Sequence, residues 1–264
     1  MKAGRYRLLS GFSWGVLLFL YLPIGVLMLY SFNQSRINAV WSGFTWKWYL
    51  SLFDNRQVLE ALGNSLTIAG ISSVLATVLG TAAAIALKHY GRRWRELLNG
   101  LIYLPIIIPD ILMGLSLLAL FSQLHLTLGK ATIILAHVTF SIPFVVVLVS
   151  ARLADMGIEL EEAAQDLGAS TWKTLRYVTL PLLTPSIVAS LLLTFTMSLD
   201  DFVVSFFVAG PNSTTLPLYI YGLVKRGVSP EVNALSTLMI VCTVLLVIAA
   251  ELFRRKDSRF TPDL

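Results

Sequence analysis

Six apolar stretches, at residues 12–32, 62–87, 99–122, 131–151, 184–208 and 233–253, alternate along the chain with shorter polar intervals. Each is long enough to cross a hydrocarbon layer of about 30 Å, which takes about 20 helical residues. A backbone inside lipid must satisfy its own polar groups, so the pattern predicts an all-α, polytopic membrane protein of six transmembrane helices, with residues 1–264 as a single membrane domain. The first stretch follows Lys2, Arg5 and Arg7, as a secretory signal would. It lacks a small-residue cleavage site and exceeds a typical signal core in length, so it is expected to stay as an anchor. In the second stretch, Gly70, Ser73, Thr77, Gly80, Thr81 and Ala84 recur at three- and four-residue intervals, a stripe that lets a neighbouring helix approach closely. The interval 33–61 carries Trp41, Phe44, Trp46, Trp48 and Tyr49, which suit an interfacial belt or a lid.

The longest polar interval in the second half of the chain is 155–183. There Glu159, Glu161, Glu162 and Asp166 alternate with Leu160, Ala163, Ala164 and Leu167, the spacing of a short amphipathic helix. Gly168 is placed to end it in a left-handed cap. Ser170 is placed to start a second short helix carrying Trp172, Leu175, Tyr177 and Val178, which is expected to stop or bend at Pro181 and Pro185.

Composition supports the membrane reading: 56% of residues are apolar, 13% are charged and the mean hydropathy is +0.76, against about one-quarter charged in a soluble domain. The net charge of +5 does not mark a nucleic-acid binder, because the basic residues lie between apolar spans with no basic face. They report orientation instead. Fourteen Lys and Arg fall on the side of the N-terminus, residues 88–98, the 155–183 interval and the C-terminus, and six fall on the other. The positive-inside bias therefore puts both termini and the polar interval in the cytoplasm. Cys242 is the single cysteine, which excludes an intrachain disulfide and a thiolate metal site. His89, His125 and His137 lie on separate segments without ligand spacing, so no metal or cofactor is expected. Gly129-Lys130 is followed by Ala131, and Leu124 stands where a phosphate-binding loop needs its first glycine. No catalytic residues are expected.

The six spans contain no Lys or Arg but three aspartates: Asp110 near the middle of the third, and Asp200 and Asp201 slightly past the middle of the fifth. Each costs about 2.5 to 3.5 kcal/mol at a helix centre, so three cost roughly 8 to 10 kcal/mol unless water, a cation or protonation offsets them. With no basic residue of this chain expected to be buried nearby, the counter-charge is expected from another subunit, from water or from the transported solute. Pro105 and Pro109 break hydrogen bonds on the turn before Asp110. The third and fifth spans run in the same direction, so the three acids fall at similar depth and are expected to face one cavity selective for cations, with Phe202, Phe206 and Phe207 against any methylene segments. The competing structural role is capping of broken helix ends, or bonding to hydroxyls such as those of Ser116 or Ser198.

The stretch Glu162-Ala163-Ala164, Gly168 and Val178-Thr179-Leu180-Pro181 resembles the EAA loop of membrane subunits of binding-protein-dependent ABC importers of the type I fold, with Val178 where isoleucine is usual. The resemblance extends over nearly the whole chain to the polyamine branch of that family, through Tyr30-Ser31-Phe32-Asn33, Pro109-Asp110, Ser198-Leu199-Asp200-Asp201, Leu216-Pro217-Leu218 with Tyr219 to Tyr221, and Gly227 to Leu235. It implies a permease subunit in the bacterial inner membrane, working with a second permease chain, two ATPase subunits and a periplasmic polyamine-binding protein. It also implies that Glu162, Ala163, Ala164, Gly168, Leu180 and Pro181 form the coupling loop to the ATPase, while the place of Asp110, Asp200 and Asp201 in the apolar spans is what assigns them to the substrate path. Three rivals stay open: a subunit for another cation such as a metal complex, a self-sufficient secondary transporter or channel, and a scaffold. A secondary transporter usually carries an internal repeat, and none is evident.

Overall fold

The computed structural model describes residues 2–35, 40–227 and 229–258, and side chains within 10–248 of these. Arg36, Val228 and Arg259, used above in the charge count and the resemblance, lie outside the described residues, as do the side chains of Lys2, Arg5, Arg7, Arg254, Arg255 and Lys256. Among the described residues the secondary structure is helical, apart from an isolated antiparallel bridge between Asn33 and Phe44.

Five helices are long and apolar enough to cross a membrane: Ser10–Tyr30 within α1 (Lys2–Tyr30), α3 (Arg56–Lys88), α6 (Lys130–Asp155), the continuous helix Thr171–Asp200, and Pro230–Ile248 within α12 (Pro230–Ser258). The sixth such span is the third stretch, 99–122, where the weakening of the helix expected at the prolines becomes a full break. It is a pair, α4 (Arg92–Ile107) and α5 (Asp110–Gln123), bent by 105°. Pro109 accounts for the break: the residue before a proline is pushed out of the helical region, and Ile108 is extended at φ −72°, ψ 130°. Pro105, by contrast, is carried inside α4.

The fifth span also departs from expectation. The second short helix of the polar interval does not stop at Pro181 or Pro185. Four residues, α8 (Thr171–Thr174), run through a π-helical turn, Leu175–Thr179, directly into α9 (Leu180–Asp200). A proline ring clashes with the carbonyl four residues back, and the wider turn here bonds Leu180 N to Leu175 O instead, clearing space ahead of Pro181. Thirty residues of helix span about 45 Å, so this one extends well beyond the hydrocarbon layer. It ends at Asp200, and α10 (Val203–Val208) follows after a two-residue break. Asp200 and Asp201 therefore sit at a helix end, not past the middle of a continuous span.

The chain divides into two compact units: Met1–Leu59 with Tyr219–Cys242, and Glu60–Leu218 with Thr243–Leu264. In the first, the aromatics expected as a belt or lid pack on one another. Phe32 stacks on Phe44 at 5.0 Å and meets Trp46 edge-on at 4.8 Å, while Trp48, on α2 (Lys47–Asp54), donates its Nε1–H to the buried Asn33 carbonyl at 2.7 Å. Asn55 ties this loop to Tyr219 and Glu231, on α11 (Leu216–Arg226) and α12. The apolar residues of α1, among them Phe12, Trp14, Leu18 and Phe19, are exposed, as suits a helix solvated by lipid.

The second unit holds the polar features of interest. There α6 packs against α4, α9 and α10, and its residues Ile133, Ala136, Phe140, Val145, Val146 and Val149 are buried. The small stripe on α3 faces this core: Ser73, Thr77, Gly80, Thr81 and Ala84 are buried, whereas Gly70 is only half-buried. At Gly80 even a Cβ would lie 2.6 Å from the Val145 side chain, so only glycine permits that approach of α3 to α6.

Candidate functional site: an acidic cavity and a polar elbow

Asp110, Asp200 and Asp201 line one cavity of about 390 Å³, together with Pro105, Ile106, Phe140, Phe144, Met197, Phe202 and Val203. Two helix breaks bring them together. Asp110 is the first residue of α5, where unpaired backbone N–H groups and the helix dipole favour negative charge. Asp201 occupies the break between α9 and α10, and its Oδ2 and Oδ1 accept the backbone N–H of Ser205 at 2.8 Å and of Val204 at 3.3 Å. An aspartate competes with helix continuation by capping the next helix in this way. The capping role and the cavity-lining position therefore coexist at Asp201. Of the phenylalanines expected to line the path, only Phe202 does so. Phe206 is 51% exposed and Phe207 packs into the core of the unit, leaving Phe140, Phe144 and Met197 as the other apolar walls.

The expectation that no basic group of this chain is near these acids is corrected by His137. It is fully buried on α6, with Nε2 3.2 Å from Asp201 Oδ2 and 3.0 Å from Ser205 Oγ, and Nδ1 2.6 Å from Ser198 Oγ. Ser198 lies 3.0 Å from Ser72 on α3, so it bonds to His137 and Ser72 rather than to a cavity acid. A signal was present in the sequence: His137 is the one ionisable residue within the 131–151 stretch, and an intramembrane ionisable group deserves a named partner.

In the polar interval, α7 (Glu159–Asp166) ends as the spacing predicts. Gly168 takes φ +86°, and two bonds, Ala169 N to Ala164 O at 3.0 Å and Gly168 N to Gln165 O at 2.8 Å, close a Schellman cap. The Ser170 side chain caps the following helix by accepting from Lys173 N at 3.4 Å. Glu162, Ala163, Gly168 and Pro181 are exposed, Ala164 and Leu180 half-buried. Around them lie exposed Leu160, Leu167, Trp172 and Tyr177, with Leu167 91% exposed, an amphipathic surface joined to the long helix.

Glu161 is what ties this elbow to the membrane helices. Its Oε2 lies 2.6 Å from Lys88 Nζ at the end of α3, and its Oε1 accepts from Thr179 Oγ1 at 3.0 Å in the π turn. Burial alone raises a carboxylate pKa, but the bonds from Lys88 and Thr179 and the Lys88 charge outweigh it, and Glu161 is held below its ordinary value. Sequence spacing gave no reason to separate Glu161 from Glu162.

Residues 76–256 match the family described as "Binding-protein-dependent transport system inner membrane component". The chain belongs to this family. Within it, the chain is 44% identical over 250 residues, 95% of each chain, to the spermidine/putrescine transport system permease protein PotC of Escherichia coli strain K12. It is 43% identical over 240 residues, 88% of this chain and 84% of the relative, to the putrescine transport system permease protein PotI of the same strain. Its fold matches a chain in the crystal structure of a bacterial ABC transporter involved in the import of the acidic polysaccharide alginate, with TM-score 0.71 over 97% of this chain and 96% of that one, at 21% identity. The type I permease fold expected from the 162–181 motif is thus shown, in a multi-pass protein of the inner membrane.

Proposed function

We propose that this chain is a permease subunit of an ATP-driven polyamine importer, and that the cavity between the two broken helices lies on the route of the cation. The observation that carries the reading is the convergence of Asp110, Asp200 and Asp201 on a cavity otherwise walled by aromatic, aliphatic and Met side chains. A polyamine is a string of ammonium groups joined by methylenes. Carboxylates take the first, and Phe140, Phe144, Phe202 and Met197 take the second, with aromatic faces attracting the cation as well. A volume of about 390 Å³ falls within the roughly 300 to 1,000 Å³ of small-molecule sites. The similarity to PotC and PotI supports polyamines over another cation.

Work is supplied from outside the chain. In this reading both termini and the polar elbow are cytoplasmic, and residues 155–183 dock on a separate ATPase through Glu162, Ala163, Ala164 and Gly168. Closure of the ATPases moves the elbow. Because the elbow continues through Leu180 and Pro181 into α9, whose far end carries Asp200, the movement reaches the cavity along one helix. The partners are a second permease of PotB type, two ATPase subunits of PotA type, a periplasmic polyamine-binding protein of PotD type and the lipid bilayer. The chain itself does no chemistry and needs no cofactor.

The test is uptake by the complete assembly in vesicles, with labelled spermidine and putrescine in competition. ATP-dependent uptake of at least one is expected. Asp200→Asn, at an exposed cavity position with no capping bond to lose, is expected to lower it about tenfold or more, the effect of losing one charge-assisted contact, with much less effect on basal ATP hydrolysis. Unchanged uptake by this variant, or transport of an anion in place of polyamines, overturns the reading.

A further inference from the structure

His137 takes no part in lining the cavity, yet it is the most completely engaged polar side chain near it. Its ring lies 5.1 Å from that of Phe140, a cavity wall, and both its nitrogens have partners. Those partners come from different elements: Ser198 from α9, Ser205 from α10 and Asp201 from the break between them. Ser72 of α3 adds a fourth through Ser198. A buried polar chain, Ser72 to Ser198 to His137 to Asp201, therefore links three helices of this unit, α3, α9 and α6, and ends at the α9–α10 break on a carboxylate of the cavity.

Asp201 needs such a support. Its backbone partners, Val204 and Ser205, lie on the same local turn and fix it only relative to α10. Among the described residues, what ties it to α6 is His137 Nε2, 3.2 Å from Asp201 Oδ2 and shared with Ser205 Oγ at 3.0 Å, and α6 supplies the facing walls Phe140 and Phe144. We propose that His137 is a positioning residue for cation transport, its Nε2–H holding the Asp201 carboxylate at the α9–α10 break so that the charge keeps one place relative to the cavity wall. This rests on the reading of the cavity as a cation route. Asp201 is the acid of the three tied to a neighbouring helix, while Asp110 and Asp200 are exposed at the cavity.

His137→Leu strips a buried site of both polar contacts and reports mainly on folding. Two amides separate the roles. Glutamine carries its N–H about as far out as Nε2 and keeps the bond to Asp201, whereas asparagine reaches only as far as Nδ1 and keeps the bond to Ser198. In the complete assembly, supplied with saturating polyamine-loaded binding protein, His137→Gln is expected to take up spermidine at close to the wild-type rate. His137→Asn is expected to fall about tenfold, the loss that follows from one hydrogen bond to a charged group, while ATP hydrolysis stays near wild type, so that fewer cations move per ATP. Equal uptake by the two amides, or a fall in ATP hydrolysis that matches the fall in uptake, overturns the inference. If the wild-type assembly moves spermidine and the amides are equal, only His137's role fails; a wild type that moves no polycation removes the cation route and this inference with it.

Discussion

Gly168 shows how a single backbone angle decides what a position tolerates. Its φ of +86° belongs to the left-handed region, and no atom lies within 4 Å of where a Cβ would be built. The sequence placed a left-handed cap at this position, and the structure locates the constraint in backbone conformation rather than in crowding. Leucine would be strained by about 1 to 2 kcal/mol, while asparagine visits this region more readily. Gly168→Leu is therefore expected to stay in the membrane but lower uptake per ATP hydrolysed, and Gly168→Asn to keep most coupling, with uptake and phosphate release followed in the same vesicles. The same scale separates what was legible at the cavity. Asp110, Asp200 and Asp201 stood out as the aspartates in apolar stretches, and one cavity brings them together. His137 also stood in an apolar stretch, but its bond to Asp201 depends on a distant segment folding back beside α6, which spacing along the chain does not report.

Among the elements, the elbow and α3 form a joint. Lys88, Glu161 and Thr179 connect the end of α3, the short α7 and the π turn leading into α9. Their bonds hold the elbow at a fixed angle to two membrane-spanning helices, as the proposed coupling role requires of a lever. Lys88→Glu or Glu161→Lys alone is expected to loosen α7, and the double exchange to restore it. The measurement is hydrogen-exchange protection across residues 159–168, falling up to about fivefold in the single variants, the scale of a partly exposed ion pair at up to about 1 kcal/mol. Acid acts on the same joint. Because the folded-state pKa of Glu161 lies below its unfolded value, the stability it contributes is fully present above the ordinary carboxylate range and is lost as pH falls through the lowered value. Protection of α7 is expected to fall in that acid range in the wild type and to stay flat in Glu161→Gln. The helix breaks divide similarly between sequence and structure. Pro109 was legible as a break because proline acts on its neighbour wherever it stands, whereas the break after Asp200 contains no proline or glycine and arises from Asp201 capping α10.

As a whole molecule, the chain is proposed to form half of a pathway driven by an external motor. It carries a cavity and a lever but no phosphate-binding loop, and reconstituted alone it is expected to show no polyamine flux, with or without ATP; steady flux from the lone chain would favour a self-sufficient transporter. The amino-acid sequence by itself determined the helical membrane class, the number of apolar stretches, the amphipathic elbow with its glycine cap, and which acids lie in the apolar stretches. These are local properties: hydropathy over about 20 residues, a 3.6-residue period, a residue that accepts positive φ. Only the tertiary structure decided that the third stretch bends by 105°, that the elbow runs unbroken through Pro181 into α9, and that His137 and Glu161 carry the polar ties. Those outcomes depend on which side chains meet when helices pack in a medium without water, where a buried hydroxyl, imidazole or carboxylate must find its partner on a neighbouring helix.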